Sequence, residues 1–246
     1  MIMRPRFALP LLCLAAVPPA AAQIPSAAPA PPLLHTQIDL GFVNTAGNSS
    51  VRTLNAAEQF AVQPVPWKFT QTFTIVNGYS AGVETANNLK ASVRADYAVG
   101  PRLKLYGFLT YYRDRFAGVA RRFEEVGGLA YGVLTGPTHL LDVEAGAGRT
   151  QQAGTSGPVQ QYWISRLALR YRVNFTSLAY AEQKVELLSD LEDIPNELLN
   201  TESALVAPLS QHVGLKLGYT ARFANRPQPT FQETDTVLSA GLQLQF

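Results

Sequence analysis

T-D-T-V-L-S-A-G-L-Q-L-Q-F closes the chain, Thr234 to Phe246. Counting back in twos gives Phe246, Leu244, Leu242, Ala240 and Leu238, all apolar. Between them stand Gln245, Gln243, Gly241, Ser239, Val237 and Asp235, mostly small or polar. Successive side chains of a strand point to opposite faces, so this stretch has one apolar face and one wet face. Strands of soluble proteins usually run ~5–6 residues. One of about a dozen matches the ~9–11 residues with which a tilted strand crosses a bilayer.

The rest of the chain agrees. Of its 246 residues 47% are hydrophobic but only 15% are charged, against roughly 25% in ordinary soluble domains. Beyond the first two dozen positions no run approaches the ~20 apolar residues of a transmembrane helix. Low charge without a hydrophobic block suits strands that alternate between lipid and water. At the N-terminus, Arg4 and Arg6 precede an apolar core, Phe7 to Val17, and small residues from Pro18 to Ala22. This predicts a signal peptide over 1–22, cleaved after Ala22. Leu12 before Cys13 does not fit a lipoprotein signal. With Cys13 removed the mature chain has no thiol, which excludes disulfides and thiolate metal sites. Cleavage takes two arginines and no acid, leaving 18 basic and 18 acidic residues. A neutral chain without a Lys/Arg cluster gives no reason to expect a nucleic-acid partner.

Residues 23–34 are Pro/Ala-rich and predict an extended periplasmic leader. From His35 to Phe246 the alternation scarcely stops. Ile38, Leu40 and Phe42 alternate with Gln37, Asp39 and Gly41. Further strands are expected over Val51–Gln63, Trp67–Val76, Asn88–Val99, Leu103–Arg113, Arg121–Leu134, His139–Arg149, Val159–Val173, a stretch around Glu182–Glu186, Asn196–Ala207 and Val213–Phe223. Asn77–Ala86 and Asp114–Ala120 are expected to be loops. That makes twelve strands, an even number, in a transmembrane antiparallel up-and-down β-barrel of outer-membrane type. Even-numbered connections look tight and odd-numbered ones mostly longer, which places both termini in the periplasm. Trp67, Trp163, Tyr171 and Phe246 near strand ends suit aromatic girdles. Glu58 breaks the pattern by sharing a face with Leu54, Ala56, Phe60 and Val62. Either it lies near an interface or a bulge flips the register of its strand.

Several segments resemble the YdiY-like family of salt-induced outer-membrane proteins, a domain-of-unknown-function family. They are T-A-G-N-S (Thr45–Ser49), D-R-F-A-G (Asp114–Gly118) before Arg121 and Arg122, G-G-L-A-Y-G (127–132), L-D-V-E-A-G-A-G (141–148) and T-D-T (234–236). The resemblance spans about His35 to Phe246. It implies an outer-membrane barrel and brings no catalytic residues.

By alternation, Asp39, Asp96, Asp142, Glu144, Glu182, Glu186, Glu202 and Asp235 should point into the lumen. So should Lys90, Arg94, Lys104, Arg166, Arg170, Arg172, Lys184, Lys216 and Arg222. Such a lining can sort ions in a narrow polar pore, or its opposite charges can pair across the lumen and close it. The near-equal numbers argue against strong ion selectivity. The function expected is thus a narrow polar-solute or ion pore, or an envelope component under osmotic or salt stress. The alternatives are a structural barrel closed by salt bridges and an outer-membrane hydrolase. A hydrolase needs a base beside its nucleophile, and His35, His139 and His212 all fall at periplasmic strand ends, so no enzyme, catalytic residue, cofactor or metal is expected. The acidic run Asp190–Asp193 lacks the spaced ligands of a calcium loop and reads as solvated. Expected partners are outer-membrane lipids, lipopolysaccharide and, through a signal ending in Phe246, the barrel-insertion machinery. The barrel is expected to be a monomer.

Overall fold

A computed structural model describes residues 33–45, 51–155, 158–193, 195–227 and 231–246. The expected signal peptide with Cys13, residues 23–32 of the leader, and 46–50 of the first turn lie outside the described residues.

Twelve strands follow in order: β1 (Leu34–Thr45), β2 (Val51–Val62), β3 (Trp67–Ser80), β4 (Val83–Ala98), β5 (Leu103–Asp114), β6 (Val119–Thr135), β7 (His139–Gly154), β8 (Val159–Asn174), β9 (Tyr180–Asp190), β10 (Glu197–Pro208), β11 (Val213–Ala224) and β12 (Thr234–Gln245). Each pairs antiparallel with its neighbours in sequence, and β1 pairs with β12, so the sheet is a closed barrel. Closure gives every strand a partner on both sides and leaves no edge. The start of β1 and the end of β12 lie on one rim, where Thr36 and Phe246 exchange backbone hydrogen bonds of 2.9 Å. We call it the terminal rim and the opposite one the far rim.

The barrel is apolar outside. Leu40, Phe73, Val93, Leu109, Leu129, Leu167, Leu217, Leu238 and Leu242 are all exposed, Leu238 to 81%. A soluble protein does not leave a continuous belt of this kind in water. Aromatic rings flank it. Trp67 packs edge-on to Tyr97 near the terminal rim, and Tyr111 lies against Phe123 near the far rim. The buried residues are inside: Tyr106, Val126, Ala130, Ile164 and Leu188 form one cluster within the lumen.

The connections differ from the expected asymmetry. Asn77–Ala86 is a continuation of β3 and β4, joined by two residues, Ala81 and Gly82, with φ of 49° and 81°. Positive φ at both central residues is the hairpin turn whose twist matches the strands it joins. The Gly, Ser and Asn of this stretch read as loop but serve the turn and a bulge at Gly78/Tyr79. Likewise β7 continues to Gly154, and β6 begins at Val119 after a single 3-10 turn, Arg115–Ala117, capped by the Asp114 carboxylate.

Glu58 lies on the outer face between Ile38 and Phe73. The β1–β2 register runs unbroken from Leu34↔Val62 to Thr45↔Val51, so no bulge excuses it. A carboxylate within an apolar outer face is destabilising to a degree that depends on depth. Replacing Glu58 by leucine is expected to stabilise the barrel by about 1 kcal/mol, read as a higher urea midpoint in detergent; an unchanged midpoint would count against it.

Candidate functional site

The lumen is the site, and a row of in-register residues sets its floor at mid-height. Asp96 on β4 faces Tyr106 on β5, Tyr106 faces Gly128 on β6, Gly128 faces Gly146 on β7, and Gly146 faces Arg166 on β8. The two glycines leave a flat bed on which Tyr106 lies. A Cβ on Gly146 would stand 2.5 Å from the Tyr106 Oη, and one on Gly128 2.8 Å from it. The tyrosine therefore reaches across two strands, and Arg166 Nη1 donates to its hydroxyl at 3.1 Å. Arg94 stacks over the same ring at 4.5 Å.

Carboxylates hold both arginines. Glu144 accepts from Arg94 at 2.9 and 3.0 Å and from Arg166 at 2.6 Å. Arg94 also donates to Asp96 at 2.7–3.0 Å, and Arg166 to Glu186 at 2.6 Å. Arg94 on β4 and Glu144 on β7 are three strands apart, so their bond runs through the interior rather than along the wall. Buried charges are tolerated when paired and hydrogen-bonded in this way.

Toward the terminal rim, Glu182 pairs with Arg170, Arg172 and Lys184 at 2.7, 3.3 and 3.3 Å. Lys184 also reaches Glu202, and Lys216 reaches Asp39 at 2.5 Å. Tyr180 donates to Gln243, which is 1% exposed, from three strands away. Toward the far rim a bar crosses the whole barrel. Arg222 on β11 donates to the Tyr112 hydroxyl on β5 at 2.6 Å and lies 3.6 Å from Asp114. These strands are six apart in either direction round the ring. Above the floor a cavity of about 480 Å³ opens among β6–β11, with Arg122, Glu124, Gln152, Tyr162, Asp190 and Asn196 in its wall.

The two sides of the lumen are filled unequally. Among the inward residues of β5–β9, Thr110, Tyr112, Glu124, Thr150, Gln152, Ile164 and Leu188 are buried. On the opposite wall, Ala57 and Gln59 of β2, Thr70, Thr72 and Thr74 of β3, Ser92 of β4 and Ser239 of β12 are small or slender and only half-buried, although Ala61, Asn88, Asp96 and Gln243 of the same strands are buried. Thr72 and Ser92 share a hydroxyl hydrogen bond of 2.6 Å.

The structure thus joins Arg94, Asp96, Glu144 and Arg166 into one network, Arg170, Arg172, Glu182, Lys184 and Glu202 into a second, and Asp39 with Lys216 into a third. Arg222 meets Asp114 and Tyr112 instead of a residue of the expected set. Lys90, Lys104, Asp142 and Asp235 form no ion pair among the described residues. Asp114, assigned to a loop by its sequence, caps the 3-10 turn from inside the barrel mouth. Asp190, expected to be solvated, is 6% exposed and accepts from the backbone of Glu192 and Asp193 and from Asn196. Lys68, Arg122 and Glu124 share the parity of the inward set and could have been read from it. Tyr106 and Tyr112 share the parity of Lys104 and could have been placed inside by it, but not as the partners of Arg166 and Arg222. His139 bonds and stacks with Tyr171, and His212 stacks on Phe246. Among the described residues no group of His, Cys, Asp and Glu is placed to hold a metal ion.

A family model described as "Protein of unknown function, DUF481" matches residues 38–246. The uncharacterized protein YdiY of Escherichia coli (strain K12) is 25% identical over 218 residues, covering 84% of this chain and 82% of its own. Among solved structures, the COG4313 outer membrane channel from Pseudomonas putida F1 superposes with a TM-score of 0.53 at 11% identity, over 92% of this chain and all of its own. A NanC porin gives a TM-score of 0.49 at 10% identity, over 86% and 97%. These likenesses concern the fold.

Proposed function

We propose that this chain, which belongs to the DUF481 family of proteins of unknown function, is an outer-membrane barrel that passes ions and small polar solutes along one side of a partly filled lumen. The unequal filling carries the reading. Fixed ion pairs and aromatics occupy the β4–β9 side, while half-buried threonines, Gln59 and Ala57 line β2 and β3, with Ser92 and Ser239 beside them. A wall of small polar groups offers weak, exchangeable hydrogen bonds, which let a solute enter without being held. The belt of exposed leucines and aromatics supports the outer membrane as the location. With the terminal rim in the periplasm, the 480 Å³ cavity faces outward.

Purified, folded protein in a planar bilayer is expected to show a small, steady conductance. A folded but electrically silent protein would favour the rival reading, a structural barrel closed by its own ion pairs. The Arg222 bar is the observation that favours this rival, since it spans the lumen. Arg222→Ala removes the bar and leaves the floor untouched. Conductance is expected to rise by roughly twofold or more, because the bar sits in the path near the far rim. An unaltered conductance in a folded variant would place the path elsewhere.

A further inference from the structure

The near-equal numbers of acids and bases suggest a lumen with little electrical character. Their placement does not. We propose that the lumen is bipolar, basic toward the terminal rim and acidic toward the far rim, and that ions therefore pass more readily in one direction of the field than in the other. The inference rests on the conduction reading above.

In the terminal half the cations outnumber what the acids can hold. Lys68 on β3 stands directly opposite Asp96 on β4. That carboxylate is taken by Arg94 through three hydrogen bonds. Lys104, two residues before Tyr106 on β5 and on the same face, has no acid partner among the described residues either. Lys68 lies in the field of Arg170, Lys104 and Arg94 as well as that of Asp96. Deeper in, Glu182 serves Arg170, Arg172 and Lys184, with Glu202 a second partner of Lys184 and Asp142 in register opposite Arg170, so these acids are still fewer than the cations once Lys68 and Lys104 are added.

In the far half the surplus is acidic. Arg122, Arg222 and Arg226 each already face an acid: Glu124, Asp114 and Asp193. Lys90 lies in the field of Glu186. Asp235 forms no ion pair among the described residues; it stands opposite Arg222, which lies 3.6 Å from Asp114, and in the field of both. Asp190 spends its oxygens on its own loop.

Two oppositely charged zones in series act on mobile ions as a junction. With the far side positive, cations are driven in through the acidic zone and anions through the basic zone, so both carriers accumulate and current is high. With the far side negative, both are drawn out and the junction empties. The zones fill the bore because the screening length is about 10 Å at 0.1 M salt, and they fade at 1 M, where it is about 3 Å.

The test is single-channel current through the full barrel in 0.1 M KCl at both polarities. Orientation is scored by the chamber from which a bulky, impermeant thiol reagent blocks Gln232→Cys, a residue of the far-rim loop. Current is expected to be larger by roughly twofold with the far side positive, and near-symmetric at 1 M. The double variant Lys68→Glu, Lys104→Glu is expected to abolish the asymmetry, and Lys68→Arg, Lys104→Arg to keep it. Asp235→Lys supplies the same test from the other mouth should the double variant not fold. Silence in the wild-type barrel overturns the conduction reading and this inference with it. Equal currents at both polarities, or an asymmetry that survives the charge reversals, overturn this inference alone.

Discussion

Glu144→Ala is expected to lower the unfolding free energy by about 3 kcal/mol, the lower end of what breaking a buried ion pair costs. Glu144 is the one acid that touches both Arg94 and Arg166. The Arg166 side chain is 9% exposed and Glu144 16%, so water cannot take over the lost bonds. The effect stays at the lower end because Arg94 keeps Asp96 and Arg166 keeps Glu186. The floor should also loosen, since the two arginines fix Tyr106 through its ring and its hydroxyl. Glu144→Gln retains the shape and one acceptor and is expected to lose about half as much. Glu202→Ala is the control. Its pair with Lys184 is 41–42% exposed on both sides, and such pairs contribute about 0–1 kcal/mol. Urea unfolding in detergent, followed by Trp67 and Trp163 fluorescence, reads all three. Equal midpoints for the Glu144 and Glu202 alanine variants would mean that water enters the floor and the network is not buried in any energetic sense.

The barrel was legible in the sequence because strand alternation is a local property repeated twelve times. Ile38, Leu89, Leu141 and Leu242 each declare their face through their immediate neighbours. The number of strands and the β1–β12 closure follow from it. The lumen was legible only as a set of residues. Alternation says that Arg94 and Glu144 face the same enclosed space but not that they meet, because a contact three strands apart has no signature in spacing. It equally says nothing of height, so a balanced total of acids and bases concealed their separation toward opposite rims. The motif glycines were visible as G-G-L-A-Y-G and L-D-V-E-A-G-A-G, yet their purpose, a bed for Tyr106, depends on a register that joins β5, β6 and β7. Far-rim turns misled for the opposite reason: Gly, Ser and Asn mark loops and tight hairpins alike, and only the backbone angles at Ala81 and Gly82 separate the two.

The largest expected effect falls on the seam where the chain meets its own beginning. β1 and β12 share five register pairs, Gln37↔Gln245 to Gly41↔Gly241, whereas β1 and β2 share twelve. The seam is therefore the weakest join in the ring. It is also tight, since a Cβ on Gly241 would stand 2.0 Å from the Leu40 carbonyl oxygen and 2.8 Å from the Gly41 Cα. Backbone atoms cannot swing aside as a flexible side chain can. Gly241→Val should force the strands apart where few hydrogen bonds hold them, and the folded, heat-resistant form is expected to fall by roughly tenfold or more on a semi-native gel. Gly107→Ala is the matched control, because the nearest atom to its added Cβ is 3.8 Å away. Deleting Phe246 attacks the same seam from its end. It removes both hydrogen bonds to Thr36 and the ring stacked on His212 at 5.9 Å. At about 1 kcal/mol for each hydrogen bond, the equilibrium loss alone is modest. A steep fall in outer-membrane level, with little change in the conductance of those barrels that do form, would show Phe246 acting in assembly; a normal level of the truncated protein would refute that role and leave Gly241 as the residue on which closure depends.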